Sequence, residues 1–340
     1  MQRPFSSLLL GLSLIACGGE AAESSDAAAS PDASTAPSTD AGDCVNGEGG
    51  FVQEKWIECA PLDTVKIALV NAGEGEKREL RINAEAGHSE TNRMTMDIKM
   101  SMGMGPMGAM DMDLPTMIID MKTEVLETLE NGNIKSNITL SGIDVGVATG
   151  MMAGMEGELR ATLQELVGLR GEMVTSSTGF VLDGGFDAPE NASKEIQDQL
   201  QSMNDSLGNS SVPVPSEAIA EGAVWETLMR DQSNGMDLVQ HTKAELVAWD
   251  GEDAVIRSTL TQVLADMSPE MPDMPPGAEV SISSFNSNGS GDIRMRSGFL
   301  NPVDSTSQVE LSMNMSVKAE GQEMDMEMKT AIEASFKMME

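Results

Sequence analysis

The chain has no tyrosine, only three tryptophans, and aromatic residues make up 3% of its 340 positions. Cations are scarce as well: 21 lysines and arginines stand against 55 aspartates and glutamates, for a formal net charge of −34. A surface this acidic repels nucleic acid and anionic headgroups and keeps the protein soluble, so nucleic-acid binding is excluded. The acidity also leaves attraction of divalent cations or basic partners open, beside the plainer reading of a solvated surface. There are two histidines, His88 and His241, far apart and in no HxxxH or HExxH pattern. Both read as ordinary strand residues. No GxSxG elbow marks a serine nucleophile, no glycine loop ends in Lys-Ser/Thr as a P-loop does, and no CxxC pair marks a redox site. No apolar run reaches the roughly 20 residues that a spanning helix needs.

What is present begins with Leu14-Ile15-Ala16-Cys17. Arg3 supplies a positive start, Phe5 to Ile15 is an apolar run of signal-peptide length, and a small residue precedes the cysteine. The stretch resembles the lipobox of bacterial lipoproteins. That resemblance implies a signal peptide over 1–16, acylation of Cys17, and membrane contact through the lipid alone. Gly18, not Asp, follows the cysteine, which favours the outer membrane. Residues 17–43 are rich in Ala, Ser and Asp, with no lysine or arginine between Arg3 and Lys55. Such a segment buries too little apolar surface to offset its ordering entropy. It is expected to be a disordered tether with a span of roughly 25–30 Å. With Cys17 lipidated, Cys44 and Cys59 remain, and an exported chain is expected to join them in a disulfide worth about 3 kcal/mol.

Methionine is the excess that balances the missing aromatics, at 29 residues. Met94, Met96, Ile98, Met100, Met102 and Met104 all occupy even positions, with Thr95, Asp97, Lys99 and Ser101 between them. Period two puts the methionines on one face of a long strand, ended by Pro106 and its glycines. Strands are further expected over 64–70, 77–86, 117–129, 134–143 and 172–181. Asn131-Gly132 forms a hairpin turn between the third and fourth of these. Helices fit 156–167, with Leu159, Leu163 and Leu166 in register, and 192–207, with Ile196, Leu200, Met203 and Leu207 as its stripe and Asn191 as cap. A final hairpin pairs 307–317 with 323–336. Asn286, Asn288, Ser290 and Gly291 mimic a calcium loop, but Ser297 stands where the bidentate glutamate is needed; the stretch reads as a hairpin turn.

The second half repeats the first at an offset near 120. Lys122 and Glu124 match Lys243 and Glu245, Asn131-Gly132 matches Asp250-Gly251, and Gly179-Phe180 matches Gly298-Phe299. The expected fold is mainly β (α+β): long, curved, antiparallel, half-barrel-like sheet with two weak internal repeats and a few covering helices. The units are 44–212, containing both helices, and 213–340. Whether they share one sheet is open at this point.

The Met-rich strand at 94–104, the hairpin at 117–143, the glycine-containing strand pair at 171–181 and the Pro215, Gly222, Trp225 entry resemble an uncharacterised family of bacterial lipoproteins. That family carries no catalytic residues to transfer. The long-strand plan is also similar to the unclosed β-barrels of lipoprotein carriers, in architecture alone.

Three readings of the methionines stay open: a packed core face, an adaptable apolar cavity, or soft thioether ligands for Cu(I). For copper the candidates are Met102, Met104, Met107, Met110 and Met112, in a glycine-rich stretch able to wrap an ion. No other cofactor and no catalytic residue is expected. The sequence therefore points to a non-enzymatic, lipid-anchored envelope protein that binds a hydrophobic ligand or serves as a structural module, with periplasmic Cu(I) binding as the alternative.

Overall fold

Period-two alternation is realised as one antiparallel sheet in a computed structural model. It describes residues 44–62, 64–103, 108–147, 153–154, 156–188, 197, 200, 204, 212–233, 236–269, 279–319 and 322–339. The strands are β1 (Lys66–Ala72), β2 (Ser89–Gly103), β3 (Ala109–Asp113), β4 (Met117–Thr128), β5 (Ile134–Val145), β6 (Arg170–Thr175) and β7 (Val181–Phe186). They continue as β8 (Ala223–Ser233), β9 (Met236–Trp249), β10 (Asp253–Leu264), β11 (Glu279–Arg296), β12 (Asp304–Ala319) and β13 (Gln322–Met338). Among the described residues the helices are α1 (Trp56–Cys59), behind a single 3-10 turn at Gln53–Lys55, and α2 (Glu156–Gln164).

The strand order is β1-β8-β9-β10-β11-β12-β13-β2-β4-β5-β6-β7, with β3 folded back on β2. β1 and β7 are its ends and do not pair, so the sheet is not closed. It is nonetheless strongly curled. Val181 of β7 and Ile293 of β11 line the same cavity although six strands separate them in the sheet, and Ile134 of β5 shares a cluster with Met295 of β11. A sheet of this many long strands cannot stay flat, because each pair adds twist.

The internal repeat is written into this order. β2-β4-β5-β6-β7 and β8-β9-β10-β11-β12 are two five-strand meanders, each carrying one further strand, β13 or β1, beside its first strand. Their turns match: Gly132 (φ 82°) with Gly251 (φ 99°), and Gly179 (φ 93°) with Gly298 (φ 86°). One fault in the pairing matches too. Pairing of β4 with β5 shifts at Leu126, and pairing of β9 with β10 shifts at Val247. A shift inserts one residue and so turns a side chain to the wrong face. Leu126 and Val247 are accordingly exposed hydrophobics, at 37% and 38%.

The inward face is the one that carries the methionines of β2. On the β4–β7 side it packs against α2 and Leu200, in a cluster with Leu140, Ile143, Val145, Leu163, Leu166 and Phe186. On the β8–β10 side, Leu80, Val214 and Ile219 seal it over Trp225, Leu246 and Ile256. Trp225 donates its indole N–H to the Pro213 carbonyl at 3.0 Å. Opposite that face, Cys44 and Cys59 are disulfide-bonded, and their loop docks Phe51 and Trp56 onto Leu228 and Val239.

Four expectations are corrected. Residues 77–86 are not a strand but an extended strap. Leu80, Ile82 and Ala84 are buried, yet the backbone crosses the sheet's inner face and pairs only at isolated points, Arg78 with Ile219 and Ile82 with the Ser177 carbonyl. Residues 172–181 contain the turn between β6 and β7, because Gly179 reverses the chain. The stretch around Asn286–Gly291 is mid-strand in β11, not a turn. Its glycines are there for close packing: a Cβ on Gly289 would lie 2.9 Å from the Gln308 carbonyl oxygen, and one on Gly291 2.7 Å from that of Thr306. Finally, 109–113 form β3, so the glycine-rich methionine stretch folds back as a strand. Of the expected helix over 192–207, Gln197, Leu200 and Asn204 are helical; Asn191, Ile196, Met203 and Leu207 lie outside the described residues.

Candidate functional site

Inside the curled sheet, between the β4–β7 side and the β11–β13 side, is a half-enclosed cavity of about 240 Å³. This lies just under the ~300–1,000 Å³ of ordinary small-molecule pockets. Met94, Met121, Met173 and Met295 line it, with Ile138, Ile293 and Phe336 among the other apolar walls. The walls from β2 and β4 follow from strand parity. Met94 is flanked by Ile119 of β4 and Phe336 of β13, and Asn92, two residues back on the same face, by Met121 and Met338.

The polar part of the lining is neutral. Asn92, Thr123, Thr175, Asn301 and the serines Ser305, Ser307 and Ser335 contribute to it, and no charged residue lines the cavity. Asn301 Nδ2 donates to Thr123 Oγ1 at 3.2 Å and to Glu90 Oε2 at 3.1 Å. Asn92 is different. It is 1% exposed, and neither its amide oxygen nor its amide nitrogen has a partner in the protein. The hydroxyl of Thr175 also lacks one. Leaving such a buried group unsatisfied costs about 1–3 kcal/mol, so two of them facing one apolar cavity call for an explanation.

Behind the polar wall sits Glu90, whose side chain is almost wholly buried. Its carboxylate accepts the backbone N–H of Leu300 (2.6 Å) and of Asn301 (3.1 Å), and His88 Nε2 lies 3.1 Å away. His88 in turn meets the ring of Phe299 edge-on at 4.9 Å. This cluster pins the β11–β12 loop that forms the cavity rim. The second histidine makes a similar cluster with a glutamate of β8, and it holds the disulfide loop. His241 Nε2 is 3.1 Å from Glu226 Oε2, which accepts the Phe51 N–H at 2.7 Å, and Trp56 stacks on the imidazole at 4.2 Å. Burial disfavours the ionised Glu226, but His241 and the Phe51 N–H outweigh it and hold its pKa below the usual glutamate value. Both histidines are thus clips on the first strand of a repeat, and neither lines the cavity.

Of the copper candidates, Met102 and Met110 are directly opposed across β2 and β3, and Met112 is opposed to Met100. Met104 and Met107 lie outside the described residues, as does Cys17. The row continues through Met328 of β13 to Met313 of β12, so four thioethers stand side by side on four adjacent strands. Met313 and Met328 are buried with Leu238, Leu264 and Ile282. Among the described residues, no group of three His, Cys, Asp or Glu side chains is placed to hold a metal.

Two wider depressions, about 550 and 650 Å³, lie over the polar faces of β2 and β10–β13. They are open and lined mostly by polar and charged groups, with Met100, Leu311 and Ala331 also lining the larger. At least part of that charge is internally neutralised, with Arg257 Nε 3.1 Å from Asp292.

The residues that sequence reasoning missed had left a signal. Glu90 and Asn92 continue the even-numbered register of the β2 methionines, so two polar residues stand in an inward row. Thr123 and Thr175 gave no comparable sign.

No family model matches the chain, and no curated protein does. The resemblance to the Met-rich lipoprotein family therefore gains no support, and of the likeness to lipoprotein carriers only the unclosed, barrel-like architecture holds. Among solved structures, the chain is similar to OccK11 (OpdR) of Pseudomonas aeruginosa, at 8% identity and a TM-score of 0.23 over 76% of this chain and 99% of that one. It is similar at the same level to OpdK of Pseudomonas aeruginosa, solved with vanillate, at 7% identity and a TM-score of 0.21 over 74% and 99%. Scores this low leave both fold and function to be read from the chain itself.

Proposed function

We propose that this protein is a non-enzymatic binder of a hydrophobic ligand, held at the cell envelope by a lipid on Cys17, most favourably at the outer membrane. The observation that carries the reading is the cavity inside an unclosed sheet, walled by four methionines. Methionine is unbranched and polarizable, and its wall reshapes around ligands that branched side chains would reject. An unclosed sheet gives such a ligand a way in that does not require breaking a hydrogen-bonded seam. The acidic tether would keep the cavity within reach of the bilayer. No step of this reading needs a nucleophile, a metal or a cofactor.

The test is direct. The full chain is purified, its organic extract is analysed by mass spectrometry, and an apolar dye such as N-phenyl-1-naphthylamine is titrated into it. A copurifying lipid or saturable dye binding supports the reading. Their joint absence removes it and leaves a structural module.

A second reading, Cu(I) binding, is favoured by the row Met313, Met328, Met102 and Met110. Thioethers select Cu(I). Anaerobic titration against a moderate Cu(I) chelator decides it: a protein that cannot compete is not a copper binder.

A further inference from the structure

We infer that the cavity selects an uncharged amphiphile, one whose hydroxyl, ester or amide group hydrogen-bonds to Asn92 and Thr175 while its apolar body lies among the methionines. This rests on the ligand-binding reading and adds the chemistry of the head group. Asn92 offers a donor and an acceptor side by side, both buried and both without a protein partner. Thr175 Oγ1 of β6, equally unpartnered, belongs to the same lining, with β4 and β5 between its strand and that of Asn92. Ser136 and Thr330 also carry unpartnered hydroxyls, but they do not line the cavity. The other polar side chains of the wall are neutral.

Charge selects against the alternatives. With no cation in the lining, an anionic head would be desolvated without a counter-charge. The Glu90 carboxylate behind Asn301, and the net charge of −34, repel it further. A cationic head is drawn to the protein's acidic surface, but it finds no carboxylate lining the cavity to replace its water. A neutral group with both donor and acceptor capacity satisfies Asn92 and leaves no charge buried.

The experiment is displacement of N-phenyl-1-naphthylamine from the purified full chain by three ligands of equal chain length: 1-monodecanoylglycerol, decanoate and decylamine. The glyceride is expected to displace the dye at concentrations roughly tenfold below either ion. Asn92→Leu, close in size and free of the orphaned amide, is expected to erase most of that preference, each displacement being referred to the dye affinity measured for that variant. Thr175→Val is expected to reduce the preference less. If the dye never binds, the ligand-binding reading itself falls. If the dye binds but decanoate or decylamine competes as well as the glyceride, the head-group assignment is overturned. A preference that survives unchanged in both variants also overturns it, since Asn92 and Thr175 would then be served by ordered water.

Discussion

The two meanders share turns, a pairing fault and clips, yet their interiors differ. Where β8–β10 are sealed, the buried side chains are Leu80, Val214, Ile219, Trp225, Leu246 and Ile256, and no methionine is among them. Where β2 and β4–β6 face the cavity, the wall is Met94, Met121 and Met173, with Met295 of β11 opposite. Branched and aromatic side chains have few rotamers and pack once; thioethers adapt. On the same strand plan, the β8–β10 face is sealed, while the face of β2 and β4–β6 leaves part of its surface, beside the cluster under α2, to the cavity.

The comparison breaks most readily at Trp225. Trp225→Ala removes a fully buried indole and orphans the Pro213 carbonyl, and it is expected to cost about 3–5 kcal/mol in urea unfolding followed by circular dichroism. A loss under about 1 kcal/mol would mean this side is no better packed than the other.

Next in size is the disulfide, which docks its loop on the same meander. Replacing Cys44 and Cys59 by serine is expected to cost about 3 kcal/mol. Hydrogen exchange should rise in β8 and β9 and stay unchanged in β5 and β6.

Acid sharpens the contrast further. The Arg230, Arg296 and Arg93 guanidiniums lower the pKa values of Asp237, Asp253 and Asp120 respectively. Glu226 is lowered as well: burial opposes its ionisation but is outweighed by His241 and Phe51. Groups depressed in the folded state contribute stability above their unfolded values, 3.8 for aspartate and 4.5 for glutamate. That stability is lost as pH falls through the folded values. Relief of self-repulsion acts the other way as pH approaches the isoelectric point near 4.2. Denaturant midpoints are therefore expected to hold or rise from pH 7 to about 4.5 and to fall below that. Three of these four carboxylates lie in the β8–β12 meander, so early peptic cleavage should fall there. Cleavage that starts in β4–β7 would contradict this.

The smallest expected effect is in the cavity wall. Met121→Leu with Met173→Leu should shift stability by under about 1.5 kcal/mol while narrowing the range of ligands that displace the dye. A large loss of stability would show that these methionines are ordinary core.

Strand parity made much of this fold legible. The even-numbered methionines, the Asn-Gly and Asp-Gly turns and the repeat offset are local signals, and local signals survive into the sheet. The strap at 77–86 was misread because alternation reports which way side chains point and says nothing about a pairing partner. β11 was misread as a turn because Asn and Gly also serve where strands approach closely. The cavity itself was out of reach. It depends on β7 and β11 meeting across a curl, a long-range fact with no local trace, and only the parity of Glu90 and Asn92 hinted at it.

β13 follows every other strand in sequence, yet it lies in the middle of the sheet, paired with β12 on one side and β2 on the other. As the chain emerges from a ribosome or a translocation pore, the two meanders can form but have nothing to join them. The long edges of β2 and β12 stay bare until the final segment arrives. Bare edges invite pairing with a neighbouring chain, and pairing partners so distant in sequence are slow to meet. Joining the two meanders therefore waits on a strand that follows both of them in sequence.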